Sequence, residues 1–234
     1  EDHPLEILPW ARRIPPSPLR DLAYTAIFNL LIAGVFTLFT MLFTASSHWR
    51  QAAWANVAKA VGRYAFSDNL GSYLCTGQLI ATQNNDLTPY FLTARHCVST
   101  QSVANTVQVF WLYQTAVCNS GSPPALGSLN TTSGSTLIAT RTNSDGTLLR
   151  LTGALPGGLY WVGWTATPVT TGSNIACIHH PDGAYKRISF GTATDQAGCS
   201  ISGVVAENVR ANWTSGVTEG GSSGGGLYNA AQHF

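Results

Sequence analysis

Charged side chains are scarce in this sequence of 234 residues, since Asp, Glu, Lys and Arg together make up 10% and the formal net charge is +1. Binding to nucleic acid requires a concentrated basic surface that neutralises phosphates. No Cys-x-x-Cys pair is present either, so the five cysteines lack the spacing of a zinc ribbon or finger. The sequence therefore predicts no nucleic-acid partner and no zinc module.

Helical periodicity is missing from about residue 64 onward, where short apolar runs alternate with Gly, Asn, Ser and Asp. The 23 glycines, with many Ser, Thr and Asn, indicate frequent turns between short strands. The predicted strands cover residues 73–80, 88–94, 106–113, 135–139, 147–151, 159–164, 174–179, 186–190, 204–210 and 226–228. We therefore predict a mainly β protein, built as a sandwich or as successive barrels.

Charge is absent altogether from residues 22–43, an apolar run of 22 residues. As a helix at 1.5 Å per residue it measures roughly 33 Å, enough to cross a bilayer. Arginines precede it and few basic residues follow, which places the later chain outside the cytoplasm, in a secreted, extracellular or periplasmic position. Three interpretations stay open: a signal anchor that associates the protein with a membrane, a cleaved signal peptide, or a buried core helix.

Three further segments surround the apolar run. Proline and arginine dominate residues 1–21, which predicts a flexible tail. Residues 44–63 read as a short connector of mixed polarity. Residues 64–234 carry the strand pattern without an internal repeat, so the β-rich part of the chain is predicted to lie there.

The five cysteines suggest disulfides, because the chain is predicted to leave the reducing cytosol. Cys75 and Cys97 are separated by the same interval, 22 residues, as Cys177 and Cys199. This equality favours two locally closed loops and leaves Cys118 over, although sequence alone does not determine connectivity.

A serine inside a glycine cluster lies near the C-terminal end, in Thr-Glu-Gly-Gly-Ser-Ser-Gly-Gly-Gly at 218–226. A nucleophilic serine needs its Oγ exposed on a tight turn, with backbone N–H groups directed at a developing oxyanion, and glycine permits both. Ser223 is therefore a candidate nucleophile. The alternative is a flexible Gly/Ser loop with no chemistry.

A serine hydroxyl becomes a good nucleophile only when a base takes its proton, and a carboxylate must orient that base. Among the six histidines His96 has the best setting, since it ends an apolar run and the adjacent Cys97 can tie its turn to the preceding strand through Cys75. Asp145 precedes an apolar strand that can draw a carboxylate into the interior. Taken alone, each residue also fits a structural role, His96 beside the core and Asp145 in an ordinary turn.

The chain order of the three candidates matches the chymotrypsin arrangement. Thr-Ala-Arg-His-Cys at 93–97 resembles the Thr-Ala-x-His-Cys signature of chymotrypsin-like serine proteases, and Gly-Ser-Ser-Gly-Gly at 221–225 resembles their Gly-x-Ser-Gly-Gly. More narrowly, the region from about residue 56 to 229 is similar to the secreted bacterial lysyl endopeptidases. The blocks with counterparts in that family are 90–94, 144–149, 178–181, 186–189 and 217–219.

This resemblance implies an all-β, chymotrypsin-like double antiparallel barrel of six strands each, with the active site in the cleft between them. His96 is then the general base, Asp145 its orienting carboxylate, and Ser223 the nucleophile that forms the acyl-enzyme. The backbone N–H groups of Gly221 and Ser223 form the oxyanion hole. The expected substrates are polypeptides, cleaved after lysine or arginine, and no cofactor is expected.

The resemblance also bears on the cysteines and on the chain ends. Cys75 and Cys97 match a family disulfide, whereas the counterpart of Cys118 pairs in the family with a cysteine in a region that the apolar segment replaces here. Family members continue well beyond the nucleophile, but this chain stops at Phe234, 11 residues after Ser223. We therefore expect an incomplete second barrel, and two alternatives to an active protease stay open: a catalytically inactive binding domain and a non-functional truncated gene product.

Two adjacent histidines, His179 and His180, raise the question of a metal site. Neighbouring residues of a strand face opposite ways, and no third ligand is near in sequence. We therefore predict no metal there.

Overall fold

The computed structural model describes residues 52–118, 121–201 and 204–234, with the backbone alone for residues 195–207 of the last two ranges. The predicted tail at 1–21 and the predicted apolar helix at 22–43 lie outside the described residues. Within the described ranges, no helix is both long enough and apolar enough to cross a bilayer. Membrane association through the apolar segment stays a prediction.

The β-rich part of the chain begins slightly earlier than its pattern indicates. Residues 52–60 form a helix, α1, and strand β1 (Val61–Ser67) follows directly, where the sequence predicts a connector up to residue 63. The sequence pattern does not indicate a strand at Gly62, because glycine is usually depleted from strands. Here it serves close packing, since a Cβ on Gly62 would lie 2.4 Å from Cγ1 of Val109.

Seven antiparallel strands form the first sheet. After β1 these are β2 (Ser72–Leu79), β3 (Tyr90–Ala94), β4 (Gln108–Phe110), β5 (Thr131–Ser133), β6 (Ser135–Arg141) and β7 (Gly146–Leu151). Their order in the sheet is β5-β4-β1-β2-β3-β7-β6. A short helix, α2 (Gln101–Ala104), and a 3-10 turn (Leu126–Ser128) lie in the connections.

Aromatic side chains fill the core of this first sheet. Tyr64, Phe91 and Trp111 are all fully buried. The ring of Phe91 meets the other two edge to face, with centroids 5.7 Å from Tyr64 and 6.0 Å from Trp111. Because Phe91 belongs to β3, this cluster fixes the strand that ends next to His96.

The second sheet has four antiparallel strands in the described part of the chain. They are β8 (Asn174–His179), β9 (Arg187–Ile201), β10 (Val204–Ser215) and β11 (Leu227–Tyr228), in the order β10-β9-β8-β11. A 3-10 turn (Pro181–Gly183) follows β8. The all-β fold class is confirmed, with a second barrel that is open over the described residues, fewer strands than the six that the resemblance implies.

One of the two predicted disulfides is confirmed. Cys75 in β2 is bonded to Cys97, just after β3, with their Cα atoms 6.6 Å apart. The bridge joins β2 to the turn after β3, so it braces the turn that carries His96.

The second predicted disulfide, between Cys177 and Cys199, is wrong. Cys177 is a buried free thiol on β8, and its partner in register on β9 is Ser189. Cys199 lies ten residues further along β9, opposite Ala206 of β10. At roughly 3.3 Å per strand residue this is about 33 Å, far beyond the reach of a disulfide. The equal spacing is a coincidence, because Cys199 lies far along the extended strand β9 and does not close a loop with Cys177.

Replacing Cys75 and Cys97 together by alanine is expected to lower the free energy of unfolding by about 3 kcal/mol, since the bridge closes a loop of 22 residues. Urea unfolding of the oxidised protein and of the double variant measures the difference. Reductant should lower the stability of the parent towards that of the double variant and leave the variant unchanged. An equal stability of the parent with and without reductant contradicts the prediction.

Candidate active site

The register of two strands places His96 beside Asp145. Ala94, the last residue of β3, pairs with Gly146, the first residue of β7. The residues that flank this pair therefore face each other, and the Arg95 N–H donates to the Asp145 carbonyl oxygen at 2.6 Å. The predicted histidine and the predicted carboxylate are brought together at one end of the first sheet.

Both carboxylate oxygens of Asp145 bind His96. Oδ2 lies 2.6 Å from Nδ1, and Oδ1 accepts the backbone N–H of His96 at 2.9 Å. Asp145 has a φ of 47°, in the left-handed region that aspartate tolerates better than most residues. When Nδ1 carries the proton and donates it to the carboxylate, Nε2 presents a lone pair that can accept a proton.

A buried threonine of β2 holds the glycine-rich loop against the first sheet. The N–H of Thr76 donates to the carbonyl oxygen of Ser223, and its Oγ1 donates to that of Gly221, both at 2.8 Å. The same Oγ1 accepts the N–H of His180 at 3.0 Å. Thr76 therefore joins β2, the loop of the candidate nucleophile, and the turn after β8.

Gly224 brings this loop into contact with β3. Its φ is 83°, and a Cβ at this position would lie 2.2 Å from the Thr76 carbonyl oxygen and 2.8 Å from the Ala94 nitrogen. Ser223 directly precedes Gly224, and Gly224 packs against the backbone of Ala94, two residues before His96. In the described part of the chain the side chain of His96 bonds to Asp145 alone, so no hydrogen bond joins Nε2 to the Ser223 Oγ.

Two backbone donors on this loop have no partner among the described residues. The N–H groups of Gly221 and Ser223 make no hydrogen bond there, whereas the N–H of Ser222 between them donates to the Glu219 carbonyl at 3.1 Å. Gly221 has a φ of 83°, which favours glycine. Two unpaired N–H groups on one turn are the donor set that an oxyanion hole requires.

Sequence reasoning missed Thr76 and the role of Ser222. Thr76 carries no catalytic signature, and only its position directly after Cys75 hints at the site.

The two adjacent histidines are both fully buried, and His179 bonds to Ser222. No group of three or more His, Cys, Asp or Glu side chains that could hold a metal occurs within the described ranges.

Replacing Thr76 by valine is expected to lower the free energy of unfolding by about 3 kcal/mol, because it leaves the Gly221 carbonyl and the His180 N–H without their partner. Urea unfolding measures the loss. Thr76→Ser keeps the hydroxyl and removes one methyl group, so it should cost only about 1 kcal/mol. An equal loss in both variants shows that packing, and not hydrogen bonding, accounts for Thr76.

The fold and the site geometry together define a class, the chymotrypsin-like serine protease fold. An HtrA-type protease solved with a tripeptide shares this fold, with a TM-score of 0.54 at 17% identity over 78% of this chain and 51% of that one. Deg5 matches with a TM-score of 0.53 at 14% identity over 77% and 79%. More specifically, the chain belongs to the lysyl endopeptidase family, whose C-terminal domain is matched by residues 45–234.

The chain is also similar to two curated relatives. A lysyl endopeptidase of Pseudomonas aeruginosa is 36% identical over 182 residues, and the secreted RxLR effector protein 73 of Plasmopara viticola is 30% identical over 178 residues. The matches cover 76% and 71% of this chain. They span only 39% and 41% of the length of those relatives.

Proposed function

We propose that this chain is a serine endopeptidase that hydrolyses peptide bonds through an acyl-enzyme. The observation that carries the proposal is the hydrogen-bonded His96–Asp145 pair, placed next to the loop of Ser223. Membership of the lysyl endopeptidase family supports the same reaction. The chemistry needs no cofactor, because base, nucleophile and oxyanion donors are all groups of the protein.

In the proposed mechanism, Nε2 of His96 takes the hydroxyl proton of Ser223 as Oγ attacks the carbonyl carbon of the substrate. Asp145 stabilises the imidazolium that forms, and the N–H groups of Gly221 and Ser223 bind the oxyanion. The imidazolium then gives its proton to the leaving amine, which leaves an acyl group on Ser223. Water then attacks that ester: His96 takes a proton from the water and returns it to Oγ of Ser223, which releases the carboxylic acid product. The Nε2–Oγ hydrogen bond often tightens only in the substrate complex of such enzymes.

We propose polypeptide substrates with lysine on the acyl side of the cleaved bond, by analogy with the Pseudomonas aeruginosa relative that is named a lysyl endopeptidase. Action outside the cytosol is supported by the Cys75–Cys97 disulfide, because such bonds persist in oxidising compartments. The word "secreted" in the name of the Plasmopara viticola relative agrees with this location.

A fluorophosphonate probe tests the proposal, because it reacts covalently with an activated serine and needs no knowledge of specificity. We expect the full chain to be labelled, and Ser223→Ala to abolish the labelling. Ser122→Ala is the matched control, since Ser122 is exposed and lies outside the site. It should be labelled like the parent.

Circular dichroism establishes that each protein in the assay is folded. A folded parent that is not labelled contradicts the proposal and favours the non-catalytic binding domain. Labelling that persists in Ser223→Ala contradicts the assignment of the nucleophile.

A further inference from the structure

A fully buried histidine hydrogen-bonds to the loop of the proposed nucleophile. His179 is the last residue of β8, and its side chain has no solvent exposure. Its Nδ1 lies 2.8 Å from Oγ of Ser222, and its Nε2 lies 3.1 Å from Oγ of Ser189. Ser222 stands between Gly221 and Ser223, the two proposed oxyanion donors.

His179 and its two serine partners form a series of hydrogen bonds, and the groups at the two ends of the series determine which atom donates in each bond. Oγ of Ser189 donates its single proton to the Val217 carbonyl oxygen at 2.9 Å, so it must accept from the Nε2–H of His179. Nδ1 of His179 then has a lone pair and accepts the hydroxyl proton of Ser222. The Ser222 oxygen in turn accepts the N–H of Glu219 at 3.1 Å. The arrangement requires a neutral imidazole in the Nε2–H tautomer.

We propose that His179 is a positioning residue for catalysis, which as a neutral acceptor locks the side chain of Ser222 and so fixes the turn that presents the oxyanion donors and Ser223. The catalytic part of this inference rests on the proposed function. The turn needs such a lock because the flanking glycines leave its backbone free to adopt other conformations. Thr76 holds the carbonyl side of the same turn, while His179 holds its one buried side chain.

The surroundings keep the imidazole neutral. Burial lowers the pKa of His179 to about 4, and both ring nitrogens bind hydroxyl groups, not a carboxylate. Arg187 lies opposite His179 on β9, burial lowers the pKa of the adjacent His180, and burial raises the pKa of the Cys177 thiol to about 12. A proton on Nδ1 would displace the Ser222 proton from its acceptor and disrupt the lock.

The test compares His179→Leu with His179→Asn in the full chain. Asparagine places an oxygen near the position of Nδ1 and keeps an acceptor for Ser222, whereas leucine has a similar size and no acceptor. Because a displacement of about 1 Å in an active site costs roughly 100-fold in rate, we expect fluorophosphonate labelling to slow by about that factor in His179→Leu. His179→Asn should react within a few-fold of the parent.

A double-mutant cycle separates positioning through Ser222 from a general structural role. If His179 acts through Ser222, adding His179→Leu to Ser222→Ala should slow the labelling no further. Thermal unfolding followed by circular dichroism establishes that all variants are folded at the assay temperature. Multiplicative effects of the two substitutions overturn the inference.

Amide hydrogen exchange across residues 219–225 supplies a readout that does not depend on catalysis. We expect faster exchange in His179→Leu and parental exchange in His179→Asn. If the parent is not labelled by the probe, the proposed function fails, and the exchange still decides whether His179 holds the loop. Parental exchange in the leucine variant overturns the inference.

Discussion

Asp145→Asn is expected to lower the rate of peptide hydrolysis by about four orders of magnitude while the protein stays folded. The asparagine Oδ1 continues to accept the backbone N–H of His96, which directs the amide NH2 at Nδ1 where the carboxylate oxygen lies in the parent. An amide that donates to Nδ1 imposes the Nε2–H tautomer on His96. The imidazole then has no lone pair for the proton of Ser223.

The hydrolysis of a lysine-containing peptide, followed by mass spectrometry, measures this loss. Asp68→Asn is the matched control, because the Asp68 Oδ1 accepts the N–H groups of Leu70 and Gly71 and an asparagine oxygen replaces it directly. Its rate should equal that of the parent. A rate within tenfold of the parent for Asp145→Asn means that His96 is not oriented by this carboxylate during the reaction.

Gly224→Ala is expected to cause the largest loss of stability of any single methyl addition in the site, on the order of 4 kcal/mol. Its φ of 83° strains any residue with a Cβ, and the added carbon would lie 2.2 Å from both the Thr76 carbonyl oxygen and Oγ1 of Thr93. Relief requires the loop to move away from β2 and β3. The loop would then carry Ser223 away from His96, so probe labelling should also fall.

Gly158→Ala separates the two causes of the loss at Gly224, which are backbone strain and steric contact with the first sheet. Gly158 has a similar φ of 81°, but nothing lies within 4 Å of the position of its Cβ. Only the backbone strain applies there, so we expect a cost of about 1 kcal/mol. Urea unfolding of both variants measures the difference, and equal losses would show that the contact of Gly224 with the first sheet carries no energy.

The candidate catalytic residues could be predicted because their signals are local. A histidine and a cysteine at the end of an apolar strand, an aspartate before another strand, and a serine among glycines are each visible within a few residues of sequence. Chain order and the lysyl endopeptidase resemblance combined them into one site. The structure places His96 and Asp145 in direct contact and lays the loop of Ser223 beside them.

The pairing of cysteines shows where local signals fail. Two equal intervals suggested two similar loops, but only Cys75 and Cys97 lie close enough to form a bond. Cys199 lies ten residues along β9 from the register partner of Cys177, and nothing in the spacing of the two cysteines distinguishes a tight turn from an extended strand. The first residues of β1 were assigned to the connector for a related reason, because Gly62 is typical of a strand breaker and only the structure shows Val109 packed against it.

By itself the sequence determined the all-β class, the family resemblance and the candidate His96, Asp145 and Ser223, since periodicity and short motifs depend on neighbours along the chain. Only the tertiary structure decided which groups support them. Thr76 and His179 contact the serine loop across separations of 145 and 43 residues, through hydrogen bonds that no local pattern encodes. Such contacts depend on strand register and on which buried groups donate or accept hydrogen bonds. Both are determined only once the chain has folded.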